Sequence, residues 1–128
     1  MQKILIVDDV DLNRKIVKFL FKSIYPDNND IIIDEAENGL IALNKMKTNK
    51  YDLVFLDIHM PVMNGDEVIK KFREFEKQKR KKICPVIALS GSMEEDDYDK
   101  EFFSMITDYI IKPIIKDKII KVIQTCNF

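Results

Sequence analysis

Five short apolar runs punctuate the chain, at residues 4–7, 31–33, 53–56, 86–89 and 109–111, each rich in Ile, Val or Leu. Most are continuous rather than alternating, the pattern of strands covered on both faces. Between and after them, apolar residues recur at helical spacing. The sets are Leu12, Ile16, Phe19, Leu20 and Ile24; Leu40, Leu43 and Met46; Val68, Ile69, Phe72 and Phe75; and Ile115, Ile119, Val122, Ile123 and Cys126. Residues 92–105 form the weakest helical segment, although Ser92-Met93-Glu94-Glu95 has a capping-box pattern at its start. Five strands, each followed by a helix, predict an α/β fold with a parallel sheet, because parallel neighbours need a crossover connection. No linker or internal repeat interrupts the alternation, so residues 1–128 are expected to form one domain.

Composition narrows the functional classes. A chain of 128 residues, 46% of them apolar, is long enough to bury a full core without disulfide or metal staples. Lys and Arg number 21 against 22 Asp and Glu, a net charge of −1, which provides no global basic field for nucleic acid or an anionic membrane. No apolar run approaches the ~20 residues of a membrane span. The first apolar run is short and followed by acids, unlike a secretory signal, so a cytoplasmic protein without membrane insertion is expected. Cys84 and Cys126 read as small apolar residues in a reducing compartment. A single histidine, His59, excludes a multi-histidine metal site. The basic run at residues 77–82 suits a solvated helix C-terminus favoured by the macrodipole.

In open parallel α/β sheets, ligands bind just beyond the carboxyl ends of the strands. Those positions hold Asp8 and Asp9 after strand one, Asp57 after strand three, Ser90 after strand four and Lys112 after strand five. Each alone is ordinary, since an Asp there commonly forms a turn or caps a helix. Together they bring three acids, a hydroxyl and an amine to one sheet edge. Three adjacent carboxylates repel unless a cation intervenes. Mg²⁺ suits the site, because it takes one or two carboxylates and keeps waters plus a phosphate oxygen. Lys112 and Ser90 could then hold further phosphate oxygens, and Asp is an established covalent phosphate acceptor.

This arrangement resembles the receiver domain of two-component response regulators, of the single-domain chemotaxis-regulator or hybrid-kinase type. The matching residues are Ile6-Val7-Asp8-Asp9, Leu56-Asp57-Ile58-His59-Met60-Pro61-Val62-Met63-Asn64-Gly65, Ala88-Leu89-Ser90-Gly91 and Asp108-Tyr109-Ile110-Ile111-Lys112-Pro113. Ala36-Glu37-Asn38-Gly39 and Ala42-Leu43 also match, so the resemblance covers essentially the whole chain. It implies a three-layer (βα)5 flavodoxin-like fold with a five-stranded parallel sheet of order 2-1-3-4-5. It further implies that Asp57 is the phospho-acceptor and that Mg²⁺ (or Mn²⁺) is bound by Asp9, Asp57 and the His59 backbone carbonyl, with Asp8 acting through water. Ser90 and Lys112 would hold the phosphoryl group, and Tyr109 would be the switch aromatic whose rotamer follows Ser90. Lys112-Pro113 resembles the family's cis peptide. Ser90 and Gly91 stand where Thr and Ala are commoner, and Met105 or Ile106 stands where many members have Gly. The His59 side chain borders the site, either as a solvated loop residue or as a modulator of water access.

The implied partners are a sensor histidine kinase or histidine phosphotransfer domain, docking beside the first helix near Asn13, Arg14 and Val17. A downstream protein would read the surface of the fourth helix, fifth strand and fifth helix. On this reading the chain is a signalling phospho-acceptor, not a classical enzyme. A haloacid-dehalogenase-type phosphatase would need an acid where His59 stands. A flavodoxin would need a first loop able to cradle a phosphate, which Asp8 and Asp9 would repel. The remaining alternative is a degenerate receiver that binds partners without being phosphorylated. A free-standing regulator, a phosphorelay intermediate and a piece of a hybrid kinase all fit the chain.

Overall fold

A computed structural model describes residues 2–27, 30–92 and 98–128. Strands β1 (Gln2–Val7), β2 (Ile31–Ala36), β3 (Leu53–Asp57), β4 (Val86–Ser90) and β5 (Asp108–Ile111) alternate with helices α1 (Asp11–Ile24), α2 (Gly39–Thr48), α3 (Gly65–Gln78), α4 (Lys100–Met105) and α5 (Lys116–Thr125). The sheet is parallel throughout, with the order β2-β1-β3-β4-β5. This is the doubly wound, flavodoxin-like topology expected from the sequence. β3 and β4 are buried along their whole length, which accounts for their unbroken apolar runs.

Because successive strand residues face opposite ways, the sheet feeds two cores. Leu5, Val7, Val54, Leu56, Val86 and Ala88 pack under α2, α3 and α4. Ile4, Ile6, Leu53, Phe55, Ile87 and Leu89 pack under α1 and α5. Asn38 caps α2 by accepting a hydrogen bond from Ile41 N at 2.9 Å.

Two elements depart from the sequence expectation. In α1 the buried residues are Val17 and Phe21, with Leu20 and Ile24 of the expected set packed against the same core, whereas Leu12 and Ile16 are exposed and Phe19 is 72% exposed. Two apolar stripes run along this helix, and the sheet takes the one carrying Val17 and Phe21. The fourth helix is short and begins at Lys100, capped by the Asp99 carboxylate on Phe102 N. Met93, Glu94 and Glu95 of the capping-box pattern lie outside the described residues. Cys84 and Cys126 are half-buried free thiols, and burial pushes the Cys84 thiol up to about 12, where it is inert.

Candidate functional site

Strand order and register assemble the site. Val7 pairs with Leu56 across β1 and β3, so Asp8, Asp9 and Asp57 leave the sheet together. Ser90 pairs with Ile111, which places Lys112 one step beyond Ser90 at the same edge. The peptide between Lys112 and Pro113 is cis. All the residues assigned to the site from the strand ends converge there.

Asp8 and Asp57 are buried and Asp9 is exposed, with one carboxylate oxygen of each lying within 4.8 Å of the others. Lys112 Nζ sits 3.5 Å from Asp57 Oδ1 and 3.7 Å from Asp8 Oδ2. Asp8 Oδ1 accepts hydrogen bonds from Val10 N at 2.9 Å and Asn13 Nδ2 at 3.5 Å. Its partner oxygen Oδ2 is buried and accepts no hydrogen bond among the described residues. An unsatisfied buried carboxylate oxygen facing two further acids is a donor set for a hard, oxygen-seeking cation. Burial, and then the neighbouring Asp8 charge, push the Asp57 carboxyl up to about 6, with Lys112 opposing both.

The loop after β3 is tightly built. Met63 N donates to Pro61 O at 2.9 Å and Gly65 N to Ile58 O at 2.7 Å, while Met60 N donates to the Asn64 side chain. A Cβ on Gly65 would meet the Asp57 carbonyl oxygen at 2.5 Å and Ile58 Cα at 2.7 Å. Only glycine lets the start of α3 approach the strand end that presents Asp57. Gly91, by contrast, has open space around it and no positive φ.

Two side chains of the expected docking surface, Arg14 and Val17, sit differently from their sequence expectation. Arg14 was expected at a docking surface near the site. Instead it donates to the Asp8 carbonyl at 2.7 Å, Glu35 at 3.1 Å and Asp11 at 2.9 Å, and so braces the β1–α1 turn. Val17, expected on the same surface, is buried under α1; the exposed apolar residues of that helix are Leu12, Ile16 and Phe19. The aromatic beside Ser90 is Tyr98, whose hydroxyl lies 3.2 Å from Ser90 Oγ and 3.0 Å from His59 Nε2. Tyr109 lies further out, exposed, with its ring edge on Phe103. Nothing in the sequence pointed to Tyr98, because it follows no strand end and precedes α4 rather than lying on a helical apolar stripe.

A family model, the response regulator receiver domain, matches residues 4–124. The chain belongs to that family. Among curated relatives, the transcriptional regulatory protein ResD of Bacillus subtilis is 38% identical over 111 residues, which cover 87% of this chain and 42% of ResD. Hybrid signal transduction histidine kinase L of Dictyostelium discoideum is 30% identical over 122 residues, covering 95% of this chain and 7% of the kinase. The receiver thus spans less than half the length of these relatives. A solved structure of the response regulator TrrA from Thermotoga maritima, in complex with Mg²⁺ and BeF, superposes with a TM-score of 0.71 at 30% identity, over 98% of this chain and 99% of TrrA. The chain is therefore a receiver domain of two-component signalling, a signalling rather than a classical enzymatic module. Its acidic cluster is compatible with Mg²⁺ and an aspartyl phosphate, and no helix among the described residues is long and apolar enough to cross a membrane.

Proposed function

We propose that residues 1–128 act as one receiver unit that accepts a phosphoryl group on Asp57 from a phosphohistidine. The donor is a sensor histidine kinase or a histidine phosphotransfer domain in the cytoplasm. The observation that carries this reading is the position of Lys112 Nζ, 3.5 Å from Asp57 and 3.7 Å from Asp8, beside three converging carboxylates. Asp9, Asp57 and the His59 carbonyl would hold Mg²⁺ (or Mn²⁺) directly, and Asp8 would do so through water. Bound there, the ion neutralises the converging acids and offsets charge on the phosphoryl oxygens.

An Asp57 carboxylate oxygen attacks phosphorus, the O–P bond forms, and the P–N bond to the donor imidazole breaks. The imidazole leaves with the electron pair. Lys112 pairs with one phosphoryl oxygen and Ser90 donates to another, which is mostly positioning and charge stabilisation. Catalysis by the chain extends only to its own phosphorylation and dephosphorylation. The altered surface is then available to a downstream protein.

Incubation with acetyl phosphate and Mg²⁺, followed by Phos-tag electrophoresis, tests the assignment. Wild-type protein should give a retarded, hydroxylamine-labile band. Asp57→Asn should give none, because an amide does not attack phosphorus. Undiminished retardation in Asp57→Asn would remove Asp57 as acceptor. No retardation of the wild type would favour a receiver that works by interaction alone.

A further inference from the structure

Ser90 is fully buried, and its hydroxyl makes contacts that lie outside the acidic cluster. Its Oγ is 2.7 Å from the Ser92 carbonyl oxygen, 3.2 Å from the Tyr98 hydroxyl and 3.3 Å from Ser92 N. The Tyr98 hydroxyl is also 3.0 Å from His59 Nε2. Proton counting fixes the direction of the chain. A carbonyl can only accept, so the single Ser90 proton goes to Ser92 O. Tyr98 must then donate to Ser90 Oγ, which leaves its own oxygen to accept from His59 Nε2–H. The sequence His59 N–H, Tyr98 O–H, Ser90 O–H, Ser92 carbonyl runs one way, and each link polarises the next. It points the Ser90 proton at Ser92 rather than at Asp57.

Tyr98 is also the first ring of an aromatic row. It stacks on Phe102 with centroids 4.6 Å apart and meets Phe103 edge-on at 6.3 Å; Phe103 in turn meets Tyr109 at 6.3 Å. A change at Ser90 therefore has a packed route to the exposed Tyr109 without Tyr109 having to fill the space behind Ser90.

Building on the phosphorylation reading above, we propose that Tyr98 is a positioning residue for that reaction. Held by His59, it latches the Ser90 hydroxyl in a resting orientation that phosphorylation of Asp57 must release. When Ser90 turns to donate to a phosphoryl oxygen, it gives up Ser92 and draws away from Tyr98. The freed Tyr98 ring then shifts against Phe102 and Phe103. Such a latch lowers the population of the state competent to hold the phosphoryl group, and so lowers apparent affinity for any ligand of that state.

The test is an NMR titration with Mg²⁺ and beryllofluoride, a mimic of the bound phosphoryl group, on wild-type protein and on Tyr98→Phe, His59→Leu and His59→Gln. Tyr98→Phe keeps the ring packing and removes the latch. It should bind beryllofluoride about 2- to 10-fold more tightly, the range that one neutral hydrogen bond supplies. Its ligand-free Tyr109 resonances should already lie part-way toward the bound positions, while affinity for Mg²⁺ alone stays at the wild-type value. The exposed His59→Leu should move affinity in the same direction, and His59→Gln, which retains an N–H donor, should move it less than His59→Leu. Wild-type affinity or weaker in both Tyr98→Phe and His59→Leu would overturn the latch alone. A wild-type protein that binds no beryllofluoride would overturn the latch together with the phosphorylation reading on which it rests.

Discussion

Val62 holds φ at 74° in the loop that follows Asp57, and the Met63 N to Pro61 O hydrogen bond closes a γ-turn around it. A β-branched residue is strained at positive φ, by roughly 1–2 kcal/mol relative to a backbone without a Cβ. Its side chain is 81% exposed and so recovers little through packing. Val62→Gly relieves that strain while adding about 0.5–1 kcal/mol of chain entropy to the unfolded state. The expected net gain is about 0.5–1 kcal/mol, read as a raised urea midpoint at unchanged slope. A lowered midpoint would show that the turn is unstrained. The strain was not legible in the sequence. Pro61-Val62-Met63-Asn64-Gly65 identified the loop, but no residue type announces a positive φ at valine. Tyr98 and Arg14 share this character. Their roles depend on where the chain carries them, whereas Asp8, Asp9, Asp57, Ser90 and Lys112 were legible because each follows directly from a strand end.

At the scale of elements, strands were easier to read than helix faces. A strand buried on both sides needs no choice of face, and so the apolar runs of β3 and β4 translate directly into structure. α1 offers two competing apolar stripes, and only docking on the sheet decides between them. α3 contains a feature that periodicity cannot show, since Glu76 falls among its buried residues. Glu76 Oε1 accepts from Arg73 Nη1 at 2.6 Å, and Oε2 accepts from Cys84 N at 2.7 Å. Arg73 Nε in turn donates to the Met105 carbonyl at the end of α4. One carboxylate therefore ties α3 to the residues entering β4 and, through Arg73, to α4. Glu76→Ala would leave a mostly buried guanidinium and a backbone N–H without their partner. Breaking one side of such a pair is expected to lower stability by about 3–5 kcal/mol. Glu76→Gln, which can still accept from Cys84 N, should lose less. Chemical denaturation of both variants checks the order; equal, small losses would mean that water replaces the carboxylate.

For the molecule as a whole, one sheet edge buries the like charges of Asp8 and Asp57 together, and that concentration makes global stability depend on the site. Burial holds the folded Asp57 carboxyl at about 6, against 3.8 for the free side chain. The folded state therefore binds this proton more tightly than the unfolded state. Where the native state carries more protons, stability falls as pH rises. The contribution of Asp57 is fully present below about pH 4 and is lost as pH rises through about 6. Over that window a shift of roughly two units corresponds to at most about 3 kcal/mol. In EDTA, wild-type protein should thus melt progressively lower between pH 4.5 and 7 relative to Asp57→Asn, in which this titration is absent. Saturating Mg²⁺ at pH 7 should reverse the wild-type loss, because a bound cation favours the charged carboxylates and stabilises the folded state by mass action. The same cation should do less for Asp57→Asn, which offers it one fewer charge. Parallel pH profiles for the two proteins in EDTA would show that Asp57 ionises as freely in the fold as in the unfolded chain. The three carboxylates would then be placed for a cation without being strained by its absence.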